Sequence, residues 1–220
     1  MNIIANNLSL VVDDIHILKE ISFTIPDAHF TCVVGPNGSG KSSILRTIAK
    51  DITDYLGFVT DIGHDDMTYL PQDLDVPPFL STFEIVSLGF YGRTLRVEEQ
   101  NRAAEELLET CGIVRIKDQP FTSVSVGERQ RTWLAFALAQ SKELILMDEP
   151  LASIDLPTRR SFFKLLSSVV HQGKTLVLVT HDIDLAVEYS DHLICMRDGE
   201  KLFDGSPSQY QLTTLVSGER

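Results

Sequence analysis

Between residues 21 and 25 the chain alternates: Ile21, Phe23 and Ile25 are apolar, and Ser22 and Thr24 between them are polar. A period of two marks a half-buried strand, and Pro26-Asp27 ends it. Leu8-Ser9-Leu10-Val11-Val12 is a candidate partner strand. Phe30 to Val34 is continuously apolar, as expected of a parallel strand buried on both faces. Ser43 to Lys50 then reads as a helix. Ser81 followed by Glu84 fits a capping box; the helix it opens carries Ile85, Val86 and Leu88 and ends near Gly89 or Gly92. Val97 to Cys111 is acidic and amphipathic, closed by Gly112. Gly127 to Gln140 is a third helix of this block. Beyond it the pattern predicts a strand at Leu144–Asp148, a helix at Thr158–His171, a strand at Thr175–Thr180, a helix at Asp184–Tyr189 and a strand at Leu193–Met196. Asp198-Gly199 is a hairpin signal before Lys201-Leu202-Phe203. The alternation predicts an α/β fold with a mostly parallel sheet, an antiparallel β unit at the N-terminal end and an inserted helical block. There are no internal repeats or low-complexity tracts, and the last ten or so residues look weakly structured.

Composition narrows the class. The chain has 220 residues, 43% of them hydrophobic, enough for one large α/β domain with a real core. A net charge of −12 argues against a broad electrostatic grip on nucleic acid. Cys32, Cys111 and Cys195 form no C-x-x-C pair and read as reduced, buried thiols of a cytosolic protein rather than a zinc site. The N-terminus lacks the basic start and apolar run of a signal peptide. No stretch reaches the ~18 apolar residues of a membrane-spanning helix, so work at a membrane requires docking onto something embedded there.

The candidate chemistry begins at Gly35-Pro36-Asn37-Gly38-Ser39-Gly40-Lys41-Ser42, a full G-x-x-x-x-G-K-[ST] match between a predicted strand and a predicted helix. Its glycines let backbone N–H groups turn toward phosphate oxygens beside a helix N-terminus. Lys41 suits the β- and γ-phosphates and Ser42 suits Mg²⁺. Asp148 and Glu149 end the apolar Leu144–Asp148 run. Adjacent carboxylates on a strand face opposite ways, which predicts separate roles: Asp148 toward Mg²⁺, Glu149 toward the attacking water. Ser125-Val126-Gly127-Glu128 supports two readings. It is a capping box, a purely structural helix start. The same Ser hydroxyl and Gly amide at a helix N-terminus also make a receptor for a γ-phosphate.

These three segments in this order resemble the ATP-hydrolysing domain of ABC transporters, from Leu8 to about Pro207. The resemblance implies one ABC ATPase domain over residues 1–220, built on a P-loop NTPase core, with a helical subdomain inserted at about 75–142. It implies a homodimer with ATP sandwiched between one subunit's phosphate loop and the other's Ser125 segment. The nucleotide set it implies is Gly35 to Ser42 with Ser43 and Val12, and Ser125, Gly127, Glu128 and Asp155 from the dimer contacts. Metal ligation falls to Ser42, Gln72 and Asp148, and catalysis to Glu149, His181 and Gln72. Read without the family, Gln72 is a surface glutamine, His181 a residue beside a helix cap, and Asp155 an N-cap ahead of Pro157. Ala152-Ser153-Ile154-Asp155 is similar to the family's dimer-contact loop. Three departures stand out: Val126 replaces the first Gly of L-S-G-G, Phe136 stands where an Arg is usual, and Val12 replaces the aromatic that stacks on adenine.

Pro77-Pro78-Phe79-Leu80-Ser81 and Leu88-Gly89-Phe90-Tyr91-Gly92-Arg93 are similar to stretches of bacterial importers of metal ions and siderophores. The expectation is therefore a peripheral subunit on the cytoplasmic face of the cell membrane. It would bind transmembrane permease subunits, with a substrate-binding protein beyond them and no nucleic acid. A soluble ABC ATPase acting on nucleic acid or ribosomes is the alternative. Such proteins usually carry two ATPase domains or a coiled-coil insert, and this chain has neither.

Overall fold

The alternation at Ile21, Phe23 and Ile25 is the inner face of β2 (Ile15–Ile25) in the computed structural model, which describes residues 1–151, 154–171 and 173–210. β2 pairs antiparallel with β1 (Ile3–Val12), with Val12 opposite Ile15. Asp13 and Asp14 form the turn between them at φ 48° and 61°, the left-handed pair that matches strand twist in a tight hairpin. β4 (Leu56–Val59) adds to the other side of β1.

The second sheet runs in the order β5 (Met67–Leu70), β6 (Leu144–Asp148), β7 (Thr175–Thr180), β3 (Phe30–Val34), β8 (His192–Arg197), β9 (Glu200–Gly205). All neighbours are parallel except β8 and β9. Every residue of β3, β6 and β7 is buried, the expected result for apolar strands covered on both faces. Alternation then splits the core. Ile145, Met147, Leu176 and Leu178 pack on one face beneath the helical block and α5 (Leu156–Val170). Leu144, Leu146, Val177 and Val179 pack on the other, against α1 (Lys41–Ile48) and the antiparallel sheet.

The helical block is α2 (Thr82–Leu88), α3 (Val97–Thr110) and α4 (Val126–Ala139). The predicted capping box is formed: Ser81 Oγ accepts from the Glu84 N–H at 3.2 Å, and the Glu84 carboxylate accepts from the Ser81 N–H at 2.8 Å. Trp133 sits edge-on between Phe121 and Phe136, 5.2 and 5.7 Å away, and ties α4 into the block. α6 (Ile183–Tyr189) follows β7.

Boundaries moved where the chain around an element controls its start. α1 begins at Lys41, not Ser43, because the phosphate loop feeds straight into its first turn. It ends before Lys50, which turns left-handed at φ 66°. α5 begins at Leu156 because Asp155 caps it and Pro157 fits its first turn. The three cysteines are free and buried, and burial pushes the Cys111 and Cys195 thiols up to about 12. The weakly structured C-terminal stretch expected from sequence lies outside the described residues beyond Tyr210.

Candidate active site

Register levels the carboxyl ends of four parallel strands. Val34 pairs with Thr180, Asp148 with Val179, and Leu70 with Met147. The residues that follow these ends are Gly35, His181, Glu149 and, two positions after Leu70, Gln72. Open α/β sheets bind ligands at this edge, and segments about 150 residues apart in sequence meet there.

The phosphate loop is shaped by glycine at two places. A Cβ on Gly35 would lie 2.2 Å from the Met196 carbonyl oxygen. One on Gly40, at φ 95°, would lie 2.6 Å from Leu18 Cδ2 and 2.9 Å from the Ile17 carbonyl oxygen. Any side chain at either position would push the loop off β2 and β8. Pro36, Asn37 and Gly38 form the exposed tip, while Ser39 and Lys41 are buried. Lys41 Nζ donates to the Pro36 carbonyl at 2.9 Å and stands 3.4 Å from Glu149 Oε1. Ser42 Oγ donates to Asp148 Oδ1 at 2.9 Å. Burial raises the Asp148 carboxyl above its ordinary range; the Ser42 hydrogen bond opposes this, and the neighbouring charge of Glu149 adds to it.

This set fits a triphosphate with a divalent cation. The start of α1 offers unpaired N–H groups, and Lys41 is a buried cation ready to exchange its loop carbonyl for phosphate. Ser42 and Asp148 are hard oxygen donors already in contact. Ser39 Oγ is buried without a hydrogen-bond partner beside the loop, a polar atom that a bound phosphate would satisfy.

The acidic pair is arranged differently from the strand-based expectation. Glu149 lies one residue beyond β6, at φ 40°, with its N–H bonded to the Val179 carbonyl at 3.1 Å. Strand alternation therefore does not act on it. The left-handed turn swings its carboxylate to Lys41, next to the Ser42–Asp148 pair. Glu149 Oε2 lies 3.9 Å from His181 Nδ1. Gln72 is exposed just past β5 and enters from the neighbouring strand.

Ser125, Gly127 and Glu128 form a second patch on a different element. Ser125 caps α4, accepting from the Glu128 N–H at 3.3 Å, and the box closes through Glu128 Oε2 to the Ser125 N–H at 2.9 Å. Both readings of this segment thus rest on one geometry. Val126 is 42% exposed and projects its side chain to solvent. Asp155 caps α5 through the Thr158 N–H at 3.1 Å, and a Cβ on Gly127 would meet Thr158 Cγ2 at 3.0 Å. The start of α4 and the Asp155 turn therefore lie side by side. Ala152 and Ser153 lie outside the described residues.

The ABC transporter family model matches residues 18–152. The chain belongs to the ABC transporter family. It is 32% identical over 216 residues to the ferric enterobactin transport ATP-binding protein FepC of Escherichia coli K12, spanning 91% of this chain and 80% of FepC. It is 33% identical over 207 residues to the iron(3+)-hydroxamate import ATP-binding protein FhuC of Bacillus subtilis, spanning 86% and 77%. The structure resembles cbiO1 from Clostridium perfringens, part of the ABC transporter complex cbiONQ, with a TM-score of 0.86 and 26% identity over 97% of this chain and 92% of that one. It also resembles the dimeric ABC transporter cassette MJ0796, with a TM-score of 0.81 and 27% identity over 93% and 98%.

Two features of the ABC cassette escaped the sequence reading. Arg159 Nη1 donates to Asp182 Oδ2 at 2.8 Å, tying α5 to the turn that carries His181. Arg115 Nη2 donates to Glu128 Oε1 at 2.9 Å. Both join residues on separate elements, and neither leaves a local pattern.

At the position where the resemblance expects an adenine-stacking aromatic, this chain has Val12. Val12 at the end of β1 and Ile15 at the start of β2, 48% and 63% exposed, flank the hairpin turn, and Ile17 and Leu18 of β2 lie against Gly40. Tyr55 packs beside the last turn of α1, lining a cleft of about 280 Å³ with Thr47 and Ile48. That is the end of α1 away from the phosphate loop. Aliphatic contact gives up the roughly 1–3 kcal/mol that stacking supplies per base. GTP should therefore compete with ATP within about tenfold, a gap of about 1.4 kcal/mol, and Val12→Tyr should tighten ATP binding. Competition against a fluorescent ATP analogue checks both. An ATP preference of several hundredfold would place the stack elsewhere.

Proposed function

We propose that this chain is the ATP-hydrolysing motor subunit of a membrane importer for a metal ion or metal chelate, and that it works as a homodimer. The observation that carries the reading is the cluster Lys41–Glu149 with Ser42–Asp148, gathered at one sheet edge from two segments far apart in sequence. The N–H groups of the loop and of α1 bind the phosphates. Lys41 leaves the Pro36 carbonyl for the β- and γ-phosphates. Ser42, Asp148 and Gln72 would hold Mg²⁺. When bound, Mg²⁺ neutralises charge developing on the phosphates. Glu149 orients the attacking water and takes its proton. His181 keeps Glu149 in place and reaches the γ-phosphate. From the second copy, the Ser125 hydroxyl and the Gly127 amide close over that phosphate, and the Asp155 turn meets the facing loop. Closing and reopening of this sandwich is the work stroke.

The membrane role rests on two further observations, the names of the relatives and an exposed apolar face. FepC and FhuC are named for transport of ferric enterobactin and of iron(3+)-hydroxamate, and further relatives for hemin import. Among the described residues no helix is long and apolar enough to cross a membrane. The segment around α2 also leaves three large apolar side chains in solvent, Phe79 at 93%, Tyr91 at 95% and Leu88 at 52%. The proposal places this face against transmembrane permease subunits, at the cytoplasmic side of the membrane, with a substrate-binding protein delivering the cargo. Reconstitution with its membrane subunits in vesicles should raise ATP hydrolysis. Tyr91→Asp with Phe79→Asp should abolish that stimulation. Stimulation that survives both charges would remove this face from the docking site.

A further inference from the structure

The start of α4 carries its own anion. Glu128 Oε2 accepts from the Ser125 N–H at 2.9 Å and from the Ser125 hydroxyl at 2.7 Å. A carboxylate in that position works against a phosphate receptor in two ways. It occupies the one hydroxyl proton the turn can offer, and it puts negative charge where a triphosphate must approach. Glu128 is ionised: its bonds from Ser125 hold its carboxyl below the usual range, burial opposes them, and the charge of Arg115 assists.

Arg115 answers this charge. It sits in the short turn Val114–Ile116, between α3 and α4, 13 residues before its partner. Its guanidinium takes Glu128 Oε1 at 2.9 Å and leaves Oε2 to Ser125. The side chain of Arg115 is 78% exposed and that of Glu128 only 19%. An exposed partner of this kind contributes little to folding. The capping box itself does not need it. Ser81 and Glu84 form the same box with nearly the same distances, 2.8, 2.8 and 3.2 Å, and among the described residues Glu84 pairs with no basic side chain. Of these two Ser–Glu boxes, the one at the proposed nucleotide interface is the one with a guanidinium brought from outside the helix.

We propose that Arg115 is a positioning residue for the contact between copies: it neutralises Glu128 and fixes its rotamer, so that the Ser125 turn can receive the γ-phosphate held by the second copy. This rests on the dimer reading above. Arg115 lets a glutamate serve at a position where a bare carboxylate would repel the ligand. A glutamine there would need no such partner, because it can close the same box without charge.

The test uses the whole chain in the Glu149→Gln background, with ATP and Mg²⁺, and reads dimer fraction by light scattering. Adding Arg115→Ala should raise the ATP concentration for half-dimerisation by about tenfold or more, the scale of one uncompensated charge in a partly screened site. The thermal midpoint and nucleotide binding by the monomer should barely move. Arg115→Lys should keep most of the dimer. Glu128→Gln added to Arg115→Ala should bring half-dimerisation back to within about threefold of the parent, since the charge needing an answer is gone. That rescue separates charge compensation from a packing role. Unchanged dimerisation in Arg115→Ala, or failure of Glu128→Gln to restore it, overturns the assignment. A Glu149→Gln parent that stays monomeric in saturating ATP overturns the dimer reading itself, and that is seen in the parent arm alone.

Discussion

Glu149→Gln is expected to lose ATP turnover by about 10²–10⁴-fold while ATP affinity holds or tightens. The range is what a positioned general base contributes, about 3–5 kcal/mol of barrier. The geometry separates the two effects. Glu149 stands beyond β6 in a left-handed turn, beside His181 and Lys41, the position from which it is proposed to act on the attacking water. It holds no backbone cradle and is not the Ser42 partner. The amide also removes a negative charge next to the triphosphate and frees Lys41, which now stands 3.4 Å from that carboxylate. Single-turnover hydrolysis and nucleotide binding, measured on the same preparation, check it. Hydrolysis within a few-fold of the parent would take Glu149 out of the chemistry.

Lys41→Ala should fail one step earlier, at binding, with ATP affinity lower by about 10²–10³-fold. Lys41 is 4% exposed, and among the described residues its ammonium is held by the Pro36 carbonyl and the Glu149 carboxylate. Moving it onto two phosphates makes charge-assisted bonds worth about 1.5–3 kcal/mol each. Truncation removes those bonds. It also leaves Glu149, 13% exposed, facing the phosphates with no cation between them. Titration with a fluorescent ATP analogue measures the loss. Binding within a few-fold of the parent would mean the backbone cradle alone carries the triphosphate. The two variants together should therefore split one cluster into a binding part and a catalytic part.

What the sequence made legible is what its local chemistry controls. The phosphate loop is a contiguous run whose Gly35 and Gly40 are forced by close approach of Met196, Ile17 and Leu18, so spacing alone reveals it. The Ser81 and Ser125 caps are four-residue devices and form as expected. β3, β6 and β7 are apolar at nearly every position because both their faces are buried. The four-residue strands β4 and β5 were not legible. β4, Leu56-Gly57-Phe58-Val59, is too short to show a period, its Leu56 and Phe58 are 72% and 54% exposed, and pairing with β1 makes it a strand. β5 depends in the same way on β6. The turn at Glu149 escaped because a left-handed glutamate has no propensity signal; the Val179 carbonyl and the packed strand end impose it. Arg115 and Arg159 escaped because their partners are 13 and 23 residues away on other elements.

The departures at Val12 and Val126 bear on how the motor runs. In the proposed sandwich Val126, 42% exposed, would add bulk beside the γ-phosphate, where a glycine has only a hydrogen atom. Closure is then weaker, and Val126→Gly should favour it. In the proposed dimer, ATP shared between the copies stabilises the closed pair by mass action. The parent chain should accordingly be monomeric without nucleotide and slow in isolation.

The direct test of this account is light scattering of Glu149→Gln across a range of protein concentrations, without nucleotide and with saturating ATP and Mg²⁺. The account predicts a monomer without nucleotide and a dimer of about 49 kDa, twice the 24.6 kDa chain, with ATP. A protein that stays monomeric with ATP bound, or that is already a tight dimer without it, would contradict an ATP sandwich between two copies.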